Sequence, residues 1–346
     1  MNRLVLVIVL LLAVLPVYAQ QDPLTLVTYD SFSVSEDVLA AFTDQTGIEV
    51  EIVRLADAGA MVNQVILTKN NPLGDVLYGI DNTFLSRGLN AGIFEPYESS
   101  ALADVPEAFV LDPDFNVTPV AYGDVCLNYD AAYFGADGPP LPTSLVDLTE
   151  PEFEGTLVVE NPAASSPGLA FLLATIAAFG EAPDTYNWQE YWADLAANDV
   201  LVVEGWTEAY YGEFSGASDG ERPLVVSYAS SPPAEVYFAD PTPETAPTGV
   251  TLAEEACFRQ IEFAGILTGT DQRAEAEAFI DFMLGLEFQE DLPLQMFVFP
   301  VSPDAELPDV FVEYAVIPEN PASIAPDLIE EKREEWIQTW TEIVLR

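Results

Sequence analysis

The stretch TLVVENPAASSPGLAFLLATIAAF, residues 156–179, carries the two signals that decide the predicted fold. Its apolar run at 157–159 is typical of a buried β-strand, and the apolar residues at 169–179 predict a helix. Ser166 followed by Pro167 matches a helix cap and a first helical residue. Such a helix start presents unpaired N–H groups and a partial positive charge, which suit an anion. An ordinary capped helix that binds nothing is the commoner outcome, so both interpretations stay open.

Strands and helices also alternate before this stretch. Runs at 24–29, 49–55 and 75–79 predict strands, and helical spacing at 38–45, 57–67 and 83–89 predicts the helices that follow them. The short loops between these elements predict a parallel sheet. Ligands of such sheets bind beyond the carboxyl ends of the strands. We therefore expect Tyr29, Asp57 and Asp81 to lie at a binding crevice.

The later part of the chain repeats the pattern and then returns to the first unit. Strands are predicted at 117–129, 200–204 and 224–228, helices at 186–197, 273–284 and 328–344, a return strand at 257–266 and an extended segment at 298–301. Two α/β units joined by two crossing segments predict a hinged pair of lobes around one cleft. We place the first lobe at 20–122 and 258–310, the second at 123–257, and a C-terminal helical segment at 311–346.

The first residues of the chain predict export. Residues 1–19 combine Arg3, an apolar core and a Val17-Tyr18-Ala19 cleavage site, as secretory signal peptides do. We expect cleavage after Ala19 and a periplasmic or other extracytoplasmic location. The residue directly after the cleavage site is Gln20 and not a cysteine, so no lipid anchor is indicated.

The charge balance limits the partners of the protein. The net charge is −48, from 58 acidic and 10 basic residues. Phosphate backbones and anionic membranes would be repelled, so the composition argues against nucleic acid as a partner and favours cationic ligands. Most of these carboxylates are expected only to keep the protein soluble.

The absence of histidine argues against most enzyme classes. It removes Ser-His-Asp and Cys-His catalysis and most zinc chemistry, and no G-x-S-x-G motif occurs. We therefore predict a protein that is not an enzyme and has no cofactor or metal. An exported hydrolase with paired carboxylates is the alternative of a different class.

Two cysteines, Cys126 and Cys257, leave a choice open. In an exported protein they favour one disulfide, and two separate buried thiols are the alternative. A bond would close a loop of about 130 residues and stabilise the fold by up to about 5 kcal/mol.

Five motifs together point to a known family. They are LVTYDSF (26–32), GDVLYGIDNTFL (74–85), NPAASSPGLAFLLA (161–174), VVEGWTEAYYGEF (202–214) and LVVSYASSP (224–232). In this order and spacing the chain resembles the thiamine-binding proteins of bacterial ABC transporters and, more widely, periplasmic substrate-binding proteins. The resemblance covers about residues 24–344, including EEWIQTW at 334–340.

The resemblance implies an α/β fold of the two-lobed periplasmic-binding-protein type, in which each lobe is a mainly parallel sheet with flanking helices. It implies a monomer that binds thiamine, thiamine monophosphate or thiamine diphosphate and hands the ligand to the membrane permease of an ABC transporter. Ferric-ion-binding and polyamine-binding transport proteins of the same fold are the alternatives.

Aromatic residues are the first part of the implied site. Tyr29, Trp206 and Tyr228 match family positions that stack on the ligand rings, and Tyr210 would donate a hydrogen bond. Phe297 stands where the family has a late tryptophan. Core packing is the alternative role for each of these rings.

Polar groups are the second part of the implied site. Asp57 would hydrogen-bond or neutralise the ligand, and Asp81 is a weaker candidate for that role. Ser165, Ser166 and the Gly168 amide would receive the hydroxyl or phosphate of the ligand at the helix start.

The chain departs from the family pattern in two further places. Ser35-Glu36 replaces a tryptophan that follows the YDSF motif, and Ala234 stands where an aromatic residue is expected, with Tyr237 one turn later. The choice among thiamine, its phosphates and a related cation therefore stays open.

Adjacent tyrosines would indicate a ferric-ion-binding protein, and Tyr210-Tyr211 is such a pair. On a helix, however, Tyr211 should turn away if Tyr210 faces the cleft.

Overall fold

The computed structural model describes residues 22–136, 138–252 and 256–346. The predicted signal peptide, residues 1–19, lies outside the described residues. Within the described part of the chain, no helix combines the length and apolar character needed to cross a bilayer.

The strands form one eleven-stranded sheet within the described residues. They are β1 (Leu24–Thr28), β2 (Val50–Arg54), β3 (Val76–Asp81), β4 (Phe94–Glu95), β5 (Thr118–Asp130), β6 (Leu157–Glu160), β7 (Leu201–Val203), β8 (Leu224–Tyr228), β9 (Thr248–Thr251), β10 (Phe258–Leu267) and β11 (Phe299–Pro300). The main order is β2-β1-β3-β10-β5-β8-β6-β7, with β4 paired to β10 and both β9 and β11 paired to β5.

The helices connect and cover these strands. They are α1 (Glu36–Thr46), α2 (Ala58–Leu67), α3 (Leu85–Ala91), α4 (Ser166–Phe179), α5 (Trp188–Ala197), α6 (Trp206–Glu208), α7 (Pro232–Tyr237), α8 (Arg273–Met283), α9 (Leu286–Gln289), α10 (Leu292–Gln295), α11 (Asp309–Tyr314) and α12 (Pro326–Val344). Single 3-10 turns occur at Ser100–Asp104, Glu107–Phe109, Val146–Thr149 and Pro151–Phe153, and a π-helical turn at Ala209–Glu213.

Two groups of parallel strands stand on either side of an antiparallel centre. In the first group β1 pairs in parallel with β2 and β3, and in the second group β6 pairs in parallel with β7 and β8. Strand β10 runs antiparallel to both β3 and β5, which confirms the predicted return strand. Strand β5 pairs with β10 along its first part and with β8 along its second part, so it belongs to both sides. The lobe boundaries drawn from the sequence stay predictions.

Helix α4 lies in the core, since every residue from Ser166 to Ile176 is buried. Its continuous apolar run lets it pack on the sheet with one side and against α5 with the other. Gly168 is required by close packing, because a Cβ atom there would lie 2.5 Å from the Glu160 carbonyl oxygen.

Two helix starts differ from the sequence predictions. Helix α4 begins at Ser166 with Ser165 as its cap residue and Pro167 in its first turn, because the Leu169 N–H donates to the Ser165 carbonyl. The predicted cap at Ser166 is therefore wrong by one residue. For the helix predicted at 273–284 the sequence suggests Asp271 as the cap, and this is also wrong by one residue, since Gln272 is the cap residue of α8.

The predicted disulfide is confirmed. Cys126 in β5 is bonded to Cys257, which directly precedes β10, and their Cα atoms are 4.2 Å apart. The bond ties the two central antiparallel strands to each other across 131 residues of sequence.

The C-terminal helix closes the core. Trp336 and Trp340 of α12 are fully buried, and the Trp340 ring meets Trp192 of α5 edge-on with centroids 5.5 Å apart. The Trp336 indole N–H donates to Glu181 at 2.8 Å. Both tryptophans therefore stabilise the packing of α12 on the rest of the protein.

Candidate functional site

A cavity of about 340 Å³ opens where the carboxyl ends of β1 and β8 meet the N-terminal ends of α2, α4 and α6. This is the edge at which parallel sheets bind ligands. Seven of the ten residues proposed from the sequence line this cavity: Tyr29, Asp57, Ser166, Trp206, Tyr210, Tyr228 and Phe297.

The other three proposed residues lie outside the cavity wall. Asp81 is buried below it, where its carboxylate accepts from the Thr83 N–H at 2.6 Å and the Gln260 side-chain amide at 3.2 Å. Ser165 is fully buried. Gly168 faces the backbone of β6. The structure therefore gives Asp81 and Gly168 structural contacts and does not bring these three residues to the wall.

Asp57 connects the two groups of parallel strands through hydrogen bonds. It precedes α2 of the first group, yet its carboxylate does not cap that helix. Its Oδ2 accepts from the Trp206 N–H at 2.9 Å, and its Oδ1 accepts from the Ser166 N–H at 3.3 Å. Burial raises the pKa of this carboxyl to about 6, although the two N–H groups pull the pKa down. The carboxylate thus engages one N–H group at the start of α4, where the sequence predicts that a ligand anion binds.

The Trp206 ring is held rigidly on the wall. Its indole N–H donates to the Ser227 hydroxyl at 2.9 Å, and its ring stacks on Tyr210 with centroids 5.1 Å apart and planes 17° apart. Tyr210 is fully buried behind it. A fixed, partly exposed indole face is a suitable platform for a flat ligand.

Tyr211 also lines the cavity, so the expectation that it would turn away is wrong. The cause is the π-helical turn at Ala209–Glu213, in which the Phe214 N–H donates to the Ala209 carbonyl at 3.0 Å. This wider turn brings consecutive side chains closer in direction than an α-helix does. Tyr211 is 48% exposed and stands nearly perpendicular to Trp206.

Two glycines make room for the other wall rings. A Cβ atom at Gly79 would lie 2.2 Å from the Tyr29 ring, and one at Gly123 would lie 2.9 Å from the Tyr228 ring. The absence of a side chain at Gly79 in β3 and at Gly123 in β5 therefore lets both tyrosines lie over the sheet.

Glu262 is a wall residue that the sequence analysis missed. It lies on β10, and its carboxylate accepts from the Tyr29 hydroxyl at 2.8 Å and the Tyr78 hydroxyl at 3.0 Å. Burial raises its pKa to about 7, and the two hydroxyl groups lower it in part. The signal was present in the sequence, because Gln260 and Glu262 are polar residues at alternating positions of a strand that is apolar from Phe263 onward.

Gln260 connects the wall to the polar groups below it. Its side-chain oxygen accepts from the Tyr228 hydroxyl at 2.8 Å, and its amide nitrogen donates to the Ser166 hydroxyl at 3.0 Å. The side chain thus fixes a ring of β8 and the start of α4 at the same time.

Phenyl rings surround the mouth of the cavity. Phe297 has a left-handed backbone, with φ of 53°, and its carbonyl accepts from the Ser230 hydroxyl at 2.6 Å. Phe238 lies 5.6 Å from Phe297 between centroids and is 67% exposed, and both rings line the cavity. Ala234 lines the cavity too, whereas Tyr237 stands outside its wall.

The cavity wall is acidic. It includes Asp30, Asp57 and Glu262, and no lysine or arginine is among the described residues that line it. Glu160 is buried close to Asp57, and neither of its carboxylate oxygens has a hydrogen-bond partner among the described residues. Burial, with a further contribution from Asp57, raises the pKa of Glu160 well above its ordinary value. A wall of aromatic faces and carboxylates suits a flat cation.

Comparison with known proteins agrees with this geometry. The family model described as bacterial extracellular solute-binding protein matches residues 71–318. The thiamine-binding periplasmic protein of Escherichia coli (strain K12) is 30% identical over 97% of this chain and 98% of its own length. The protein of the same name from Salmonella typhimurium is 29% identical over 97% of this chain and 98% of its length.

Solved structures show the same fold. A periplasmic thiamin binding protein matches with a TM-score of 0.82 and 28% identity, over 96% of this chain and 100% of that chain. A ferric binding protein from Campylobacter jejuni matches with a TM-score of 0.70 and 16% identity over 92% and 99% of the two chains, which is a likeness of fold alone. The match of the family model and the full-length relatives lead to one conclusion: the chain belongs to the family of bacterial extracellular solute-binding proteins.

Proposed function

We propose that this protein captures thiamine in the cavity and delivers it to the membrane permease of an ABC transporter. The observation that carries the proposal is the fixed Trp206 face in a wall that holds three carboxylates and, among its described residues, no basic side chain. Thiamine joins a cationic thiazolium ring to a flat aminopyrimidine, so it needs both features. The full-length similarity to thiamine-binding periplasmic proteins supports the same ligand.

Each wall group has a role in this proposal. Trp206, Tyr29 and Tyr228 stack on the ligand rings, and each cation–π contact contributes about 0.5–2 kcal/mol. Asp57 and Glu262 balance the positive charge of the thiazolium. Phe297 closes the mouth over the ligand in place of the tryptophan that the family has there.

We further propose that capture involves closure of two lobes. The lobes are residues 20–122 with 258–310 and residues 123–257, followed by the C-terminal segment 311–346. The two long central strands, β5 and β10, would act as the hinge between them. Strand pairing supports this, because in the main order of the described strands β5 stands between β10 and β8.

The protein would work as an exported monomer by binding and release rather than by catalysis. The signal-peptide pattern at 1–19 supports export with cleavage after Ala19, and the relatives named above are periplasmic proteins.

Iron binding is less well supported by the site. A ferric ion would need phenolate oxygens from Tyr210 and Tyr211. Burial, with a further contribution from Glu235, raises the pKa of the Tyr210 hydroxyl well above its ordinary value. Its ring is also held behind Trp206. A polyamine would be attracted by the same carboxylates but would make little use of the stacked rings.

The test is a titration of the mature protein with thiamine, ferric ion and spermidine, followed by tryptophan fluorescence and visible absorbance. We expect thiamine alone to quench the fluorescence at sub-micromolar concentration. A visible absorbance band with iron, or binding of spermidine without thiamine, would select one of the alternatives.

A further inference from the structure

We propose that Phe238 and Phe297 form an aromatic gate over the cavity mouth, and that Phe238 sets the rate at which the ligand leaves. This inference rests on the proposed function, because it takes thiamine as the ligand and two lobes that close around it. It adds Phe238, which the sequence analysis did not single out, to the residues that retain the ligand.

Phe238 stands between the cavity and solvent, since its ring lines the cavity although the residue is 67% exposed. It directly follows α7, and its N–H donates to the Ala234 carbonyl at 3.0 Å, so it lies one helical turn beyond Ala234. Ala234 lines the cavity with only a methyl group. A large apolar ring that stays mostly in water at a cavity mouth is typical of a surface that a ligand covers.

The backbone of Phe297 is fixed so that its ring meets Phe238. Its φ of 53° is a conformation that a bulky residue rarely adopts, and such outliers occur mainly at functional sites. The Phe297 carbonyl accepts from the buried Ser230 hydroxyl at 2.6 Å, and the sulfur of Met296 accepts from the Ser33 N–H at 2.9 Å. The segment is therefore fastened on both sides of the cavity mouth.

The two rings of the gate come from different proposed lobes. Phe297 lies in the 258–310 part of the first lobe, and Phe238 lies in the second lobe, 123–257. Their centroids are 5.6 Å apart and their planes 64° apart, which is the edge-to-face geometry that aromatic pairs favour. Opening of the lobes would break this contact, and closure would restore it over a bound ligand. The closed gate would keep water out and so strengthen the attraction between the ligand cation and the wall carboxylates.

Stopped-flow tryptophan fluorescence with thiamine tests the gate, because it measures association and dissociation separately. We expect Phe238→Ala to raise the dissociation rate constant at least about tenfold and to change the association rate constant less than about threefold. Phe238→Tyr keeps the ring, so its dissociation rate constant should stay within about threefold of the wild-type value. Urea unfolding of each variant shows whether it is folded, and we expect little loss because the ring is mostly exposed.

Tyr237→Ala is the matched control, because Tyr237 is an exposed ring next to Phe238 that lies outside the cavity wall. Its dissociation rate constant should stay within about twofold of the wild-type value. Phe297→Ala should also accelerate dissociation. Because the two rings act as one gate, the double variant Phe238→Ala/Phe297→Ala should accelerate dissociation by less than the product of the two single effects.

Two results would overturn the inference while thiamine binding itself remains. One is a dissociation rate constant in Phe238→Ala that equals that of Tyr237→Ala, which would mean that the exposed ring serves another surface. The other is a pair of single effects that multiply fully in the double variant, which would mean that the rings act independently. A wild-type protein that binds no thiamine would instead reject the proposed function, and the gate with it.

Discussion

The Oδ2 atom of Asp57 lies 2.9 Å from the backbone nitrogen of Trp206, although 149 residues separate the two in sequence. This hydrogen bond links the first parallel group to the second across the floor of the cavity. It also sets the indole ring beside a carboxylate, which is the pairing that a flat cation requires. The account of function depends on this pairing, and the predictions below test its parts.

Replacement of Trp206 by alanine should weaken thiamine binding by at least about thirtyfold, because stacking and buried apolar area are lost together. Fluorescence or calorimetric titration of the purified variant measures this. Tyr237→Ala is the matched control, since Tyr237 is an exposed ring near the mouth that does not line the cavity. If Trp206→Ala bound thiamine as well as the control does, the indole would not be part of the site.

The affinity for thiamine should increase from pH 6 to pH 8. In the empty protein the pKa of Asp57 is about 6 and that of Glu262 about 7, so both carry protons in part of this range. A bound cation favours the charged carboxylates, and the protons must leave on binding. We expect a rise of about fivefold or more over these two pH units, and a smaller rise in Glu262→Gln. Affinity that falls with increasing pH would contradict the assignment of the carboxylates.

Glu262→Gln should also stabilise the empty protein at pH 8 but not at pH 4.5. The folded-state pKa of about 7 lies above the ordinary 4.5, so the stabilising proton is present at low pH and is lost as the pH rises toward 7. The shift corresponds to a difference on the order of 3 kcal/mol in the free energy of unfolding between the charged and the protonated carboxyl. Urea unfolding at both pH values measures it, with the exposed Glu107→Gln as control. Equal effects at the two pH values would mean that Glu262 does not titrate as described.

Gly168→Ala should destabilise the protein by about 1–3 kcal/mol, because the added methyl group would meet the Glu160 backbone. Gly212→Ala provides the comparison, since the nearest atom to its added carbon is 3.9 Å away in the flexible Glu208 side chain. Urea unfolding of both variants compares them. A larger loss for Gly212→Ala would show that helix α4 and strand β6 are not in this close contact.

Replacement of both Cys126 and Cys257 by serine should lower the free energy of unfolding by about 2–5 kcal/mol. The bond closes a long loop, since its ends are 131 residues apart. Unfolding of the wild-type protein with and without reductant should show a similar loss, while the double variant should not respond to reductant. A wild-type protein whose stability ignores reductant would contradict the role of the bond.

Local pattern was sufficient to predict much of the fold. The apolar runs, the short loops and Gly47 after α1 depend on residues close in sequence, and the strands and helices lie within a few residues of their predicted bounds. Most of the aromatic wall could also be predicted, because strand ends and family motifs mark the same residues.

Long-range contacts decided the parts that the sequence did not reveal. Glu262 meets Tyr29 across 233 residues, and nothing near either residue indicates that pairing. The engagement of Asp57 by Ser166 and Trp206 depends on how the two parallel groups approach each other. The exposure of Tyr211 depends on a π-helical turn that no short motif announces.

The central claim is that the acidic, ring-lined cavity holds thiamine. Calorimetric titration of the mature wild-type protein with thiamine at pH 8 tests it most directly. The account predicts one site per chain with a dissociation constant below about 1 µM, which corresponds to about −8 kcal/mol or better. No measurable heat and no change in tryptophan fluorescence at millimolar thiamine would contradict it.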